Sequence, residues 1–227
     1  MTSEGMTGEG GSMREVLRGI EVFPADLPEF DVQAAPDDPV TLFLAWLAAA
    51  VRDKVLGPHA MTLATADAAG RVSSRVLICK DVDEDGRWYF ASDADSEKGR
   101  DLNANPRAAA SFYWPSQGRQ IRVGGTAVPA GSEASAADFL ARPPASRAAA
   151  LAGPQSGPLA GLAELDAAFR RSAARVDADP GLVAPGWTLY ALTADRVEFW
   201  QADHQRRHIR LEYRREGGAW ARGLLWP

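Results

Sequence analysis

Cysteine is nearly missing from this chain: Cys79 stands alone among 227 residues. One thiol excludes an internal disulfide and every CxxC metal or redox motif, and it fits a reducing, cytoplasmic setting. Long apolar runs are also missing. The longest strongly apolar stretch, Leu42 to Val51, is about ten residues, too short to cross a bilayer. Met1 to Met13 is rich in Gly, Ser and Glu and has no apolar core, so it does not read as a signal peptide. Basic excess is missing too: the net charge of −5 argues against general nucleic-acid binding, which needs a positive surface. Any local cluster of cations is then more informative. The phosphate-binding glycine patterns GxGxxG and GxxxxGK[ST] do not occur in a strand-to-helix context, and HExxH and GxSxG are absent. His204 and His208 have the spacing of a helical metal pair, but Arg206 and Arg207 lie between them and the segment is not helical. Cations beside a metal are unfavourable, and no metal site is expected.

What is present reads as a soluble globular chain, 46% hydrophobic and 24% charged. Residues 1–35, punctuated by Pro24 and Pro28, read as a disordered or loosely ordered segment, and residues 36–227 as a single domain. Asp38-Pro39 is a helix start, and Phe43, Trp46, Leu47, Ala50 and Val51 share one face of that helix. After Gly57-Pro58 the texture changes to short strands separated by turns such as Asp67-Ala-Ala-Gly70 and Asp83-Glu-Asp-Gly86, the pattern of antiparallel hairpins. Strands are expected around 61–65, 72–80, 87–91, 108–114 and 120–128. Three more are expected at 187–193, 196–201 and 208–215, and a last one after Glu216-Gly-Gly218. Helices are expected at 96–104, 132–141 and 162–176, the last with Leu162, Leu165, Ala168, Phe169 and Ala173 on one side. The piece from Pro143 to Pro158 has no clear period and reads as loop. The whole is mainly β with peripheral helices. Closing six or more antiparallel strands into a barrel is a way to remove sheet edges.

Two places gather cations. Extended backbone would put Arg206, His208 and Arg210 on one face of a strand, just after Trp200. Such a face is either solvated or turned toward an anion. Ser92, Ser96 and Lys98 cluster where a helix begins, and free N–H groups at a helix start favour a phosphate. By itself this second signal is common, and a solvated helix start is its ordinary meaning.

The order of the pieces is far more specific. Ala60-Met-x-Leu-Ala-Thr65, Ser74-Arg-Val-Leu77 with Lys80, Ser96-x-Lys98-Gly and Asn105-Pro106 come first. Phe112-Tyr-Trp114, Arg119-Gln-Ile-Arg122-Val, Ala141-Arg-Pro143 and Gln155-Ser156 come next. Val197-Glu-Phe-Trp-Gln201, Arg206-x-His208-x-Arg210 with Tyr213, and Trp220…Leu-x-Pro227 complete the series. From about Pro39 to Pro227 the chain resembles the pyridoxamine 5′-phosphate oxidase family.

The resemblance implies a six-stranded antiparallel FMN-binding split β-barrel, working as a homodimer with the flavin at the interface. Arg75, Val76, Lys80, Ser92, Lys98, Gln120, Gln155, Ser156, Trp200 and Arg210 then match the family's FMN contacts. Arg and Lys suit a dianionic phosphate, and Gln amides suit the edge of the flavin ring. Lys80, Arg142, Ser146, Arg206 and His208 match substrate contacts, with Arg206 and His208 as catalytic residues that orient the donor ring. The implied reaction is hydride transfer from substrate to flavin, with reoxidation by dioxygen and release of peroxide. The default substrate is pyridoxine or pyridoxamine 5′-phosphate.

Three features depart from the family pattern. Glu97 stands where other members carry an arginine to the FMN phosphate, and it is expected to point outward. Asp138 replaces a tyrosine that meets the substrate phosphate. The stretch Ala145 to Pro154 lacks the usual Ser-x-Ile-Gly-Ala run. Phe139-Leu-Ala-Arg-Pro-Pro144 looks like the branch that oxidises reduced phenazine precursors, which makes an oxidase of a dihydrophenazine-type secondary metabolite the alternative. A non-catalytic flavin-binding module is the second alternative, disfavoured by the presence of both Arg206 and His208.

Overall fold

The computed structural model describes residues 12–227, so the expectation for residues 1–35 falls partly outside it. Within that segment a single helical turn and a half, α1 (Met13–Arg18), forms on a reciprocal cap: the Ser12 hydroxyl accepts from the Glu15 N–H while the Glu15 carboxylate accepts from Ser12. It buries no side chain.

Helix α2 (Pro39–Arg52) starts as its sequence dictates. The Asp38 carboxylate accepts the Thr41 N–H at 2.8 Å, and proline takes the first helical position. Its apolar face fills the interior of the barrel. Phe43 is fully buried, 5.0 Å from Phe112 and 5.8 Å from Trp88 between ring centres, and Trp46 lies 5.2 Å from Phe199.

The strands are β1 (Ala60–Ala66), β2 (Val72–Ile78), β3 (Asp81–Val82), β4 (Arg87–Asp93), β5 (Arg107–Trp114), β6 (Arg119–Pro129), β7 (Trp187–Gln201), β8 (Ile209–Glu216) and β9 (Ala219–Leu224). They pair in the order β2-β1-β5-β6-β7-β4-β3, all neighbours antiparallel. β3 is the continuation of β2 beyond Cys79 and Lys80, and the Lys80 N–H donates to the Tyr89 carbonyl at 2.7 Å. The chain itself thus carries the sheet from one edge to the other. With β2 and β3 counted as one interrupted strand, the ring has the six strands of the expected barrel. β8 and β9 extend it from the side of β7, giving nine strands in all. Leu63, Ile121, Val123, Leu192, Val197 and Phe199, all fully buried, line the interior.

β7 is one 15-residue strand, where two were expected. Its register against β6 shifts at Gly124/Gly125, leaving Asp195 as the extra residue. A Cβ on Gly125 would sit 2.0 Å from the Thr193 carbonyl oxygen, so glycine is needed there. The bulge lets the first half of β7 pair with β4 and the second half with β8.

The helices α3 (Glu97–Ala104), α4 (Ser132–Leu140), α5 (Pro144–Leu151) and α6 (Leu162–Ala178) lie outside the ring. α5 corrects the loop expected between Pro143 and Pro158: Pro144 occupies its first position and an alanine-rich turn comes next, a strong helix former without an apolar period. α6 exists as expected, but its buried stripe keeps only Ala168 of the expected apolar side. Ala168, Ser172 and Val176 face inward, while Leu162, Leu165 and Phe169 are exposed.

Candidate functional site

Three groups of side chains contain the residues that the sequence singles out, and the barrel fixes each. The first lies at the start of α3. Lys98 is buried, and its ammonium donates to the hydroxyls of Ser92 and Ser96, each at 3.1 Å, and to Gln155 Oε1 at 3.3 Å. Ser92 also donates to Gln155 Oε1 at 2.9 Å, and the Glu97 N–H donates to the Ser156 hydroxyl at 3.3 Å. Ser156 adopts a left-handed backbone, φ +68°. Ser96 caps α3, and Gly99 is needed behind it, because a Cβ there would lie 2.2 Å from the Ala94 carbonyl oxygen. Arg75 reaches this end of the barrel from β2. Its guanidinium donates to Thr65 Oγ1 at 2.7 Å and Ser73 Oγ at 2.6 Å, and both hydroxyls donate to buried Asp101, at 2.7 and 3.2 Å. Glu97 is mostly exposed, yet its carboxylate comes within 3.7 Å of Arg75.

Burial, and then the Arg75 charge, hold Lys98 below the ordinary lysine range. Among the described residues no carboxylate lies within ion-pair distance of Lys98. A buried cation with neutral partners, beside a second cation and the N-terminus of an eight-residue helix, fits a phosphate monoester. The residues present therefore suit the phosphate of FMN.

The second group opens on the outer face of β2. Val76, Ile78, Lys80, Asp138, Arg142 and Ser146 line a cavity of about 480 Å³, with Trp187 as one wall. The sequence expectation thus has Lys80, Arg142 and Ser146 together here. Arg142 lies over Trp187, its guanidinium carbon 4.0 Å from the ring centre. Its Nη1 is buried without a hydrogen-bond partner, and burial lowers its pKa from the arginine value. Asp138 is tied to Lys80 at 3.2 Å and accepts the Trp187 Nε1–H at 2.8 Å. Trp187 was not singled out from the sequence. Its only signal was an aromatic residue opening a strand, which usually means core.

The third group is a row on the outer face of the sheet. Gln120, Trp200 and Arg210 are direct cross-strand neighbours on β6, β7 and β8. They alternate with the buried Ile121, Phe199 and Leu211, so they point away from the interior. Arg210 donates to Glu198 at 2.8 Å and to the Trp226 carbonyl at 2.9 Å, and the Glu198 bond raises its pKa.

Arg206 and His208 adjoin this row but do not share a strand face with Arg210, as extended backbone would have had it. β8 begins only at Ile209, and Arg206 is left-handed at φ +66°. Asp203 causes the difference. Its carboxylate captures the N–H groups of Gln205 and Arg207, at 2.7 and 3.2 Å, and its carbonyl accepts from Arg206, which makes a turn instead of a strand. The Asp203 N–H donates to His208 Nδ1 at 3.0 Å and so orients the ring. His208 lies 4.9 Å from Trp200 between ring centres, and Phe23 from the N-terminal segment covers both. Arg206 is exposed, without an ion pair among the described residues.

The first two groups neighbour each other, since Arg75 and Val76 are consecutive and α5 leads from Ser146 to Gln155. Ser92 of the first group pairs with Thr188 near the start of β7, whereas Trp200 of the third group lies twelve residues further along that strand, so the two groups occupy opposite ends of β7. Arg75 also shares a face with buried Leu63, its register partner, whereas Gln120 and Trp200 point outward.

Residues 47–201 match the family described as pyridoxamine 5′-phosphate oxidase. Residues 187–227 match the family's C-terminal dimerisation region, which contains Trp200, Arg206, His208 and Arg210. A pyridoxine/pyridoxamine 5′-phosphate oxidase from Pseudomonas paraeruginosa is 42% identical over 85% of this chain and 90% of its own length. One from Anaeromyxobacter dehalogenans is 41% identical, over 86% and 97%. Among solved structures, PhzG from Burkholderia lata 383, in complex with tetrahydrophenazine-1-carboxylic acid, superposes with a TM-score of 0.82 at 32% identity, covering 88% of this chain and 99% of that one. An FMN-binding protein from Nostoc punctiforme shares the fold at a TM-score of 0.70 and 21% identity.

Proposed function

This chain belongs to the pyridoxamine 5′-phosphate oxidase family, and from that membership we propose that it is an FMN-dependent oxidase acting as a homodimer on a planar donor with an anionic arm. The observation that carries the reading is the buried Lys98 with Arg75 beside it, an anion cradle with no carboxylate in contact with the ammonium. FMN held there would supply the redox chemistry, a hydride acceptor that dioxygen can reoxidise with release of hydrogen peroxide.

The chain's own residues bind and orient. Lys98, Arg75, Ser92 and the first turn of α3 hold the cofactor phosphate. Gln155 and Ser156 brace that turn from the loop after α5. Gln120, Trp200 and Arg210 of the partner's copy would meet the ring end, because one protomer places the two groups at opposite ends of β7. Lys80, Arg142 and Ser146 hold the donor's anion. Arg206 and His208, presented by the Asp203 turn, lie over the donor ring and set the carbon that loses the hydride. No residue needs to act as a strong acid or base in this scheme.

The relatives' names make pyridoxine or pyridoxamine 5′-phosphate the first substrate to test. A dihydrophenazine-type acid is the second, favoured by the Lys80–Asp138 pair in the anion pocket. The deciding experiment is peroxide release by the FMN-loaded protein with each donor. Flavin uptake with turnover of either supports the oxidase reading. Flavin uptake with no reduction by any donor under anaerobic conditions favours the non-catalytic module, and failure to take up FMN rejects both.

A further inference from the structure

We propose that Asp138 sets the substrate class, by reserving Lys80 and so matching the pocket to a singly charged carboxylate in place of a doubly charged phosphate. The proposal rests on the oxidase reading above and specifies the donor that it left open.

Asp138 projects from α4 and uses both oxygens. One accepts the Trp187 Nε1–H at 2.8 Å, which fixes the plane of the carboxylate, and the other lies 3.2 Å from the Lys80 ammonium. The Asp138 side chain is 14% exposed, so solvent screens this pair only in part. Over the ring of the same indole, the Arg142 guanidinium carbon lies 4.0 Å from the centre, and Nη1 is buried and unpartnered. The pocket therefore holds two cations and one carboxylate, a net charge of one positive, and one guanidinium N–H group still without an acceptor. A carboxylate paired with the Arg142 guanidinium neutralises the site. A phosphate dianion overfills it by one charge and must sit beside Asp138. Val76, Leu77 and Ile78 supply apolar walls for a flat ring system, in a volume ordinary for a small-molecule site.

The test uses the FMN-loaded protein and two ligands that cannot be turned over: 4-deoxypyridoxine 5′-phosphate and phenazine-1-carboxylate. Each is titrated by its effect on the flavin spectrum. The carboxylate is expected to bind at least about tenfold more tightly to the wild type. Asp138→Asn keeps an acceptor for the Trp187 N–H and removes the charge. Electrostatic repulsion scales with ligand charge, so a roughly threefold gain for the carboxylate should accompany a roughly tenfold gain for the phosphate. Wild-type protein that binds the phosphate as tightly as the carboxylate overturns the proposal with no variant required. So does Asp138→Asn binding both ligands as before, or improving both by the same factor. Protein that takes up no FMN fails at the loading step, which removes the oxidase reading itself and is distinct from either result.

Discussion

The ammonium of Lys98 lies 3.1 Å from the hydroxyl of Ser92, and its hydrogen-bond partners among the described residues are all neutral. A buried cation held only by hydroxyls and an amide is costly to the empty protein and useful to a protein that binds an anion. This opposition makes the residue's role measurable in two directions.

Lys98→Met should weaken FMN retention by about 10- to 100-fold, the worth of one charge-assisted hydrogen bond. The same change should raise the melting temperature of the flavin-free protein, because it removes a buried charge. Equilibrium dialysis and thermal unfolding read the two effects. Loss of both affinity and stability would mean that Lys98 serves the fold instead.

A pH dependence arises from the same residue. Its pKa is lowered in the folded protein, so between that lowered value and the unfolded value of 10.5 the unfolded chain binds more protons. Stability of the flavin-free protein should therefore rise with pH across that window, and the rise should vanish in Lys98→Met. Bound phosphate opposes the shift, so the FMN-loaded protein should show a smaller slope. Urea midpoints at several alkaline pH values would check it.

Gly99→Ala places a Cβ 2.2 Å from the Ala94 carbonyl oxygen. Backbone must move, and what moves is the first turn of α3 that carries Lys98. Overpacking of this kind costs about 1–3 kcal/mol. Here it should also impair FMN uptake, seen as a paler protein after purification and a lower unfolding midpoint.

The Asp203 turn separates orientation from cofactor binding. Arg206→Ala should keep its flavin and lose on the order of 100-fold in kcat/KM, since mispositioning a reacting group costs about that much. Asp203→Ala should act in the same sense and less severely, because it frees the N–H groups of Gln205 and Arg207 that hold the turn. Flavin loss in either variant, read from the absorbance ratio of cofactor to protein, would place these residues in the cofactor site.

Local signals written in the sequence set α2, the hairpin turns and most of the barrel strands, although the two strands expected over 187–201 are one and that expected over 72–80 is interrupted. The segment around Arg206 shows the limit of such reading. Alternation is a property of extended backbone, and one carboxylate, Asp203, that captures two N–H groups suffices to end it. α5 was hidden for another reason: alanine gives helix propensity without a period, so only Pro144 marked its start. The inward stripe of α6 keeps Ala168 of the expected side but turns polar Ser172 and Val176 inward, while Leu162, Leu165 and Phe169 stay exposed. Asp138 could be flagged from the sequence as a departure. Its bonds to Lys80 and Trp187 needed the fold, since those residues are 58 and 49 positions away along the chain.

The separation of the two groups proposed to contact the flavin allows a mixing experiment. Lys98 and Arg75 lie at one end of the barrel, and Trp200, Arg206 and Arg210 lie on its outer face, in the match to the dimerisation region. If each site takes the cradle of one chain and the outer row of the other, Lys98→Met and Arg206→Ala damage opposite halves. Unfolded together and refolded, half of the dimers should be mixed, each with one site that carries both defects and one that carries none. Activity should return to about a quarter of the wild-type value, although each variant alone is nearly inactive. If one chain supplied both halves, every site in the mixture would keep one defect and no activity would return. A quarter recovered against none is a difference that a peroxide assay of the FMN-loaded mixture resolves easily.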